Sequence, residues 1–204
     1  TFLPTGEMTV MDPTTKQLKK NSVLLDTGAE LSFIDEKLAQ ELRLPTMEEM
    51  KLRLHTFGSH ETKENISRKV LLEVWDADGH QISQFLFTHD AITKPLRSPP
   101  ICPEDADFIR KNNLQIESNK NKWKSKPSIL LGCDQLWTLI RTDKPHIELP
   151  SGLHLLPTRL GHLLTGKLKN SLESEHKESE NLLHLQQEED DELDKWDRYW
   201  SLHV

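Results

Sequence analysis

Asp26 stands between two apolar runs, Val23-Leu24-Leu25 and Leu31-Ser32-Phe33-Ile34, and that placement restricts the fold more than any other feature of the chain. Runs of this kind read as buried strands. A carboxylate delivered into a core by one of them is costly unless it is hydrogen-bonded or shares its proton. Thr27 supplies a hydroxyl, and Gly28, without a Cβ, lets backbone N–H groups close on the carboxylate. The expectation is an Asp26 enclosed at a strand end, in a tight Asp26-Thr27-Gly28-Ala29 loop. Asp-Thr-Gly alone is also an ordinary turn, so the rest of the chain carries the distinction.

Upstream, Glu7 to Met11 alternates, Asp12-Pro13-Thr14-Thr15 is a turn, and Ser22 to Leu25 returns, which predicts a β-hairpin delivering Asp26. Downstream, Asp35 is placed to cap a short helix carrying Leu38 and Leu42, ended by Pro45. Lys51 to Phe57 alternates up to Gly58-Ser59. Lys69 to Trp75 puts Val70, Leu72 and Val74 on one face, Ala77-Asp78-Gly79 turns the chain, and Gln81 to Thr88 follows. These are antiparallel hairpins, and Phe57-Gly58-Ser59 at a polar tip reads equally as a mobile flap and as a plain turn. Residues 93–127 break the pattern. Pro95, Pro99, Pro100 and Pro103 favour irregular backbone, Glu104 to Lys111 one short helix, and Asn112 to Lys126 a Lys-rich surface loop. Ile129-Leu130-Leu131 is then a fully apolar strand that ends in Gly132 and runs into a helix-like segment through Trp137. A last hairpin is expected around Pro150-Ser151-Gly152. His146, His154 and His162 recur every eight residues without ligand geometry.

Hydrophobic residues are only 35% of the 204, so part of the chain is expected to stay outside a packed core. The net charge of −7 is concentrated, because residues 173–195 hold ten Asp and Glu against Lys177 and Lys195. That run reads as a solvated tail, and Trp196, Tyr199 and Trp200 beyond it as a docking element or the start of a following domain. Cys102 and Cys133 are neither a Cys-x-x-Cys pair nor near a His at ligand spacing, so no zinc site, no disulfide framework and a reducing, intracellular setting are expected. No apolar run approaches ~20 residues and no signal peptide opens the chain, which argues against a membrane or secretion. Starting at Thr1, the chain reads as a fragment of a longer polypeptide. Arg110, Lys111, Lys120, Lys122, Lys124 and Lys126 with Trp123 read as a solvated loop, and a near-neutral body beside an acidic tail argues against a nucleic-acid partner.

Asp26-Thr27-Gly28 in its apolar frame resembles the active-site loop of aspartic peptidases, and Ile129-Leu130-Leu131-Gly132, about a hundred residues on, resembles the strand that passes beside that loop. A more specific likeness covers roughly residues 1–166. Leu3-Pro4-Thr5, Leu24 to Ala29, Pro103-Glu104-Asp105, Ile129 to Trp137, and Pro150 to Leu153 through Pro157 to Gly161 occur in the order found in the retropepsin-like protease region of Pao/BEL-type LTR retrotransposon polyproteins of nematodes. Trp196 to Leu202 is similar to the segment just ahead of reverse transcriptase in the same polyproteins.

The resemblance implies a mostly β, retropepsin-like closed barrel over 1–166, with one or two short helices and the 93–127 insertion, an acidic linker at 167–195 and an aromatic segment at 196–204. It implies an aspartic endopeptidase that needs no metal or other cofactor, acts as a homodimer on a polypeptide substrate, its own polyprotein, and works in the cytoplasm or in virus-like particles. Asp26 matches the catalytic Asp, Thr27, Gly28 and Ala29 its loop, Phe57-Gly58-Ser59 the flap, and Ile129, Leu130, Leu131 and Gly132 the neighbouring strand. The single Gly in the flap and the length of the insertion depart from compact retroviral enzymes. One Asp-Thr-Gly per chain means that activity needs two chains, whose paired carboxyls titrate as a unit. Two other classes stand beside this one: an adopted protease-fold module for dimerisation or protein binding, without catalysis, and a nucleic-acid binder using the Lys-rich loop.

Overall fold

In the computed structural model, which describes residues 1–54, 63–114, 116 and 124–169, the predicted hairpin opens the chain. β1 (Thr5–Met11) and β2 (Leu18–Leu25) pair antiparallel, with Thr5 opposite Leu24 and Met11 opposite Leu18. The Asp12 carboxylate closes the turn by accepting the N–H groups of Thr14 and Thr15 at 2.9 and 3.1 Å. After the Asp26 loop come β3 (Phe33–Asp35) and α1 (Glu36–Glu41). Asp35 caps α1 by accepting the Lys37 N–H at 2.9 Å, and Leu38 and Leu42 point into the core, as expected. The helix ends ahead of Pro45, with Arg43 in the left-handed region at φ 48.

β4 (Thr46–Leu54), β5 (Lys63–Trp75) and β6 (Gln81–His89) form the predicted antiparallel hairpins, and Val70, Leu72 and Val74 are all fully buried. β5 starts well before Lys69, because its polar first half is held by pairing with β4 and not by burial of an apolar face. The tip of that hairpin, with Phe57, Gly58 and Ser59, lies outside the described residues.

The insertion holds the short helix expected over Glu104 to Lys111 and, beside it, a strand pairing that its prolines do not predict. β7 (Leu96–Arg97) and β8 (Lys124–Ser125) pair as a short ribbon, and α2 (Pro103–Lys111) starts at Pro103 with the Cys102 sulfur as its cap acceptor. Asp105, on α2, has no exposed surface and accepts the Ser151 N–H at 3.0 Å. The expected short helix, within an insertion expected at the surface, is therefore anchored to the turn between β10 (Ile147–Glu148) and β11 (Leu153–Thr158). That turn and the partner strand β12 (Gly161–Gly166) complete the three-stranded sheet β10-β11-β12.

The larger sheet runs β1-β2-β9-β3-β6-β5-β4, with β9 (Ile129–Leu131) between β2 and β3. β9 lies parallel to β2 and antiparallel to β3, and all three of its residues are buried, as a strand covered on both faces requires. β1 also pairs with β5 through Thr9–Trp75 and Val10–Val74, so the path from β1 through β2, β9, β3, β6 and β5 returns to β1. The core includes Met8, Val23, Ile34, Leu72, Leu86, Ile129 and Leu131. The segment after Gly132 is one 3-10 turn, Leu136–Thr138, and not a full helix. Its backbone is taken for pairing instead: Leu139 accepts the Arg159 N–H at 2.7 Å and Arg141 donates to Pro157 at 3.0 Å. The acidic run with its Lys177 and Lys195, and Trp196, Tyr199 and Trp200, lie outside the described residues. No helix among the described residues is long and apolar enough to cross a membrane.

Candidate active site

β2 and β9 stay zipped up to the carboxylate, since the Asp26 N–H donates to the Leu131 carbonyl at 2.9 Å. The loop then closes on itself. Asp26 accepts the Ala29 N–H on its carbonyl at 3.3 Å and the Gly28 N–H on Oδ1 at 2.9 Å. A Cβ on Gly28 would stand 3.2 Å from that same Oδ1, so glycine lets the amide reach the carboxylate unhindered.

Asp26 is half-buried, and Thr27 and Gly28 are exposed. The expected enclosure in the core is therefore corrected. Val23, Leu24, Leu25 and Ile34 are buried, but the loop lies just past the strand end, where among the described residues Thr27 and Gly28 stay exposed.

The neighbouring strand meets the loop as expected, and closely. A Cβ on Gly132 would lie 2.5 Å from the Leu31 carbonyl oxygen and 2.6 Å from that of Ala29, distances that no side chain tolerates. Cys133 continues the contact, its N–H donating to Ala29 at 2.8 Å and its thiol to the Thr27 carbonyl at 3.1 Å. The structure thus brings Asp26, Thr27, Gly28, Ala29 and the Ile129 to Gly132 strand together; the flap residues fall outside the described set.

Three further residues of this site were not singled out by sequence. Ser32, fully buried, donates its hydroxyl to Asp134 Oδ1 at 2.6 Å and accepts the Gly132 N–H at 2.9 Å. Gln135 accepts the Phe85 N–H at 2.7 Å and donates to the Phe85 carbonyl, so its amide takes the place of a strand on β6 just short of the β3 pairing at Phe87. The available signals were a lone hydroxyl in an apolar run and two polar residues directly after a strand-ending glycine.

At the root of the β4–β5 hairpin, Arg68 donates to Glu36 at 2.6 Å and to Thr46 at 3.1 Å, and the Ser67 hydroxyl donates to the Thr88 carbonyl at 2.8 Å. Burial alone would raise the Glu36 carboxyl, but hydrogen bonds from Thr88, Arg68 and Gln40 outweigh it and hold the group below its ordinary value. An open cavity of about 290 Å³ beside this root is lined by Glu36, Glu49, Arg68, His89 and Asp90 among others, and by no residue of the 26–29 loop. Among the described residues, Asp76, Asp78 and His80 alone come within cation-binding distance of one another. Asp76 is already occupied, accepting the N–H groups of Asp78 and His80 and two donors of Arg159. The His146 and His154 rings lie 5.4 Å apart, with no third ligand among the described residues.

A mostly β domain with few helices, carrying an Asp-Thr-Gly loop against a glycine-ended strand, is the class these observations define. The chain belongs to the family described as "Putative peptidase (DUF1758)", which matches residues 9–179. At the coarse level it is a protease-like domain. Among solved structures it is similar to the retroviral protease-like domain of Ddi1 from Leishmania major, at 10% identity and a TM-score of 0.35, over 81% of this chain and 96% of that one. No curated protein matches it.

Proposed function

We propose that this protein is a retropepsin-like aspartic endopeptidase, with Asp26 as the catalytic carboxyl, acting as a homodimer that contributes one Asp-Thr-Gly loop per chain. The observation that carries this reading is Asp26 directly after β2, half-buried, its Oδ1 held by the Gly28 N–H at 2.9 Å and its loop exposed on one side among the described residues. A second copy bringing its own loop to that side would complete the site. The strand path that returns to β1 supports a closed barrel as the scaffold.

In the dimer the two Asp26 carboxyls would face each other across a water molecule, too close for both to ionise, and would share a proton. The ionised one takes a proton from the water as the oxygen attacks the peptide carbonyl. The protonated one donates to the carbonyl oxygen. No covalent intermediate forms. The substrate is an extended polypeptide bound by main-chain pairing under the β4–β5 hairpin, its Phe57-Gly58-Ser59 tip acting as the flap. By resemblance that polypeptide is the retrotransposon polyprotein carrying the domain, of Pao/BEL type, processed inside cells. Thr27 and Ala29 complete the loop, and Ile129 to Gly132 back it.

The test is cleavage of an unstructured protein between about pH 4 and 7, for wild type and Asp26→Asn, over a range of protein concentrations. Activity should rise more than linearly with concentration and fall by on the order of a thousandfold or more in the variant. Equal cutting by Asp26→Asn removes the assignment. A folded dimer without activity points instead to an adopted binding module.

A further inference from the structure

We propose that Asp134 is a positioning residue for the Asp26-Thr27-Gly28 loop, acting through the Ser32 hydroxyl and the Gly132 amide; its catalytic consequence rests on the peptidase reading above, its geometric consequence does not. Ser32 sits without exposed surface in an otherwise apolar run, where a hydroxyl is costly unless its hydrogen bonds are made. They are made on both sides, to Asp134 Oδ1 at 2.6 Å and from the Gly132 N–H at 2.9 Å. The Ser32 N–H goes to the other oxygen, Asp134 Oδ2, at 3.3 Å, and Gln135 Nε2 reaches that oxygen at 3.4 Å. One acceptor-only carboxylate therefore receives both donors of Ser32.

That arrangement reaches the loop through Gly132. Its N–H is fixed by Ser32 while its Cα lies against the Ala29 and Leu31 carbonyls, and Cys133 next to it holds the carbonyls of Ala29 and Thr27. The near end of the loop is set by the Asp26 N–H on Leu131, the far end by Ser32 on Asp134. Asp134 itself is exposed, so its side chain fills no core space. Removing the carboxylate leaves a buried hydroxyl without its acceptor and frees the Gly132 amide to shift. The loop carbonyls packed on Gly132 move with it, and the Gly28 N–H loses its aim at Asp26 Oδ1.

The experiment uses the full chain, isotopically labelled, as wild type, Asp134→Ala and Asp134→Asn. Amide hydrogen exchange is read at Gly28, in the loop, and at Leu72, in the core, alongside steady-state cleavage. In Asp134→Ala, exchange at Gly28 should accelerate about tenfold or more relative to Leu72, with kcat down about tenfold and KM within about twofold. Asp134→Asn keeps an acceptor oxygen for the Ser32 hydroxyl and should restore most of both losses. Unchanged exchange at Gly28, equal acceleration at Gly28 and Leu72, or an unchanged kcat in an active enzyme overturns the proposal. Absence of cleavage in wild type would remove the peptidase reading, while the exchange comparison would still decide the positioning role.

Discussion

Gly28 lies in the candidate active-site loop and Gly132 packs against it, yet the structure gives them different jobs. An added Cβ at Gly28 would meet a carboxylate oxygen at 3.2 Å, the end of a side chain that can turn away. At Gly132 it would meet the backbone carbonyls of Leu31 and Ala29 at 2.5 and 2.6 Å, the second already accepting the Cys133 N–H and the first followed by Ser32, whose carbonyl accepts the Phe87 N–H. Gly132→Ala should therefore destabilise the domain by about 2–3 kcal/mol, the range for forced overpacking, whereas Gly28→Ala should cost under about 1 kcal/mol. Urea midpoints distinguish them; a Gly132→Ala midpoint equal to wild type would mean that the loop and strand are not in the close contact described. Gly28→Ala should nonetheless lose cleavage activity, because it disturbs the amide aimed at Asp26.

At the scale of elements, the sequence was most legible where one short period decided the outcome. The alternation of Val70, Leu72 and Val74 and the capping position of Asp35 translated directly into β5 and α1. It was least legible where distant backbone made the decision. Nothing local to Leu136–Thr138 shows that Arg159 and Pro157 will claim the next carbonyl and amide and stop a helix there. Nor does Asp105 reveal, in a Pro-rich insertion, that it will be buried against Ser151. The turn at Asp76 to Gly79 was readable as a turn, but its tie to the β11–β12 turn was not. Asp76 accepts Arg159 Nε and Nη2 at 3.0 and 2.8 Å, and the Ala77 N–H donates to the Arg159 carbonyl at 2.8 Å. Burial pushes the Asp76 carboxyl up, but the His80 N–H and Arg159 outweigh it and hold the group below its ordinary value of 3.8. A carboxyl depressed on folding adds stability that is complete above pH 3.8 and disappears as pH falls through the lower folded value. Arg159→Met should lower stability at neutral pH by about 1–2 kcal/mol, the partial exposure of the guanidinium trimming the upper end. It should also flatten the decline of stability on the acid side of pH 3.8. An unchanged acid limb in Arg159→Met would show that the pair does not couple the two turns.

At the scale of the molecule, the half-buried Asp26 makes a prediction about stoichiometry that no single-chain property can imitate. If each active unit needs a carboxyl from both copies, a chain with Asp26→Asn that still dimerises is a poison as well as a dead enzyme. Mixing wild type and variant in equal amounts and allowing exchange leaves roughly a quarter of the dimers with two Asp26 side chains. Activity at fixed total protein should then follow the square of the wild-type fraction. A linear fall would mean that each chain works alone, and the exposed face of the loop would need another explanation. The same titration with Asp134→Ala is informative in a different way, because a loop that is displaced but still carries its carboxyl should give mixed dimers of intermediate activity. Asp26→Asn removes a reacting group and Asp134→Ala moves one. The shape of the two curves separates those effects in a way that the activity of either pure variant does not.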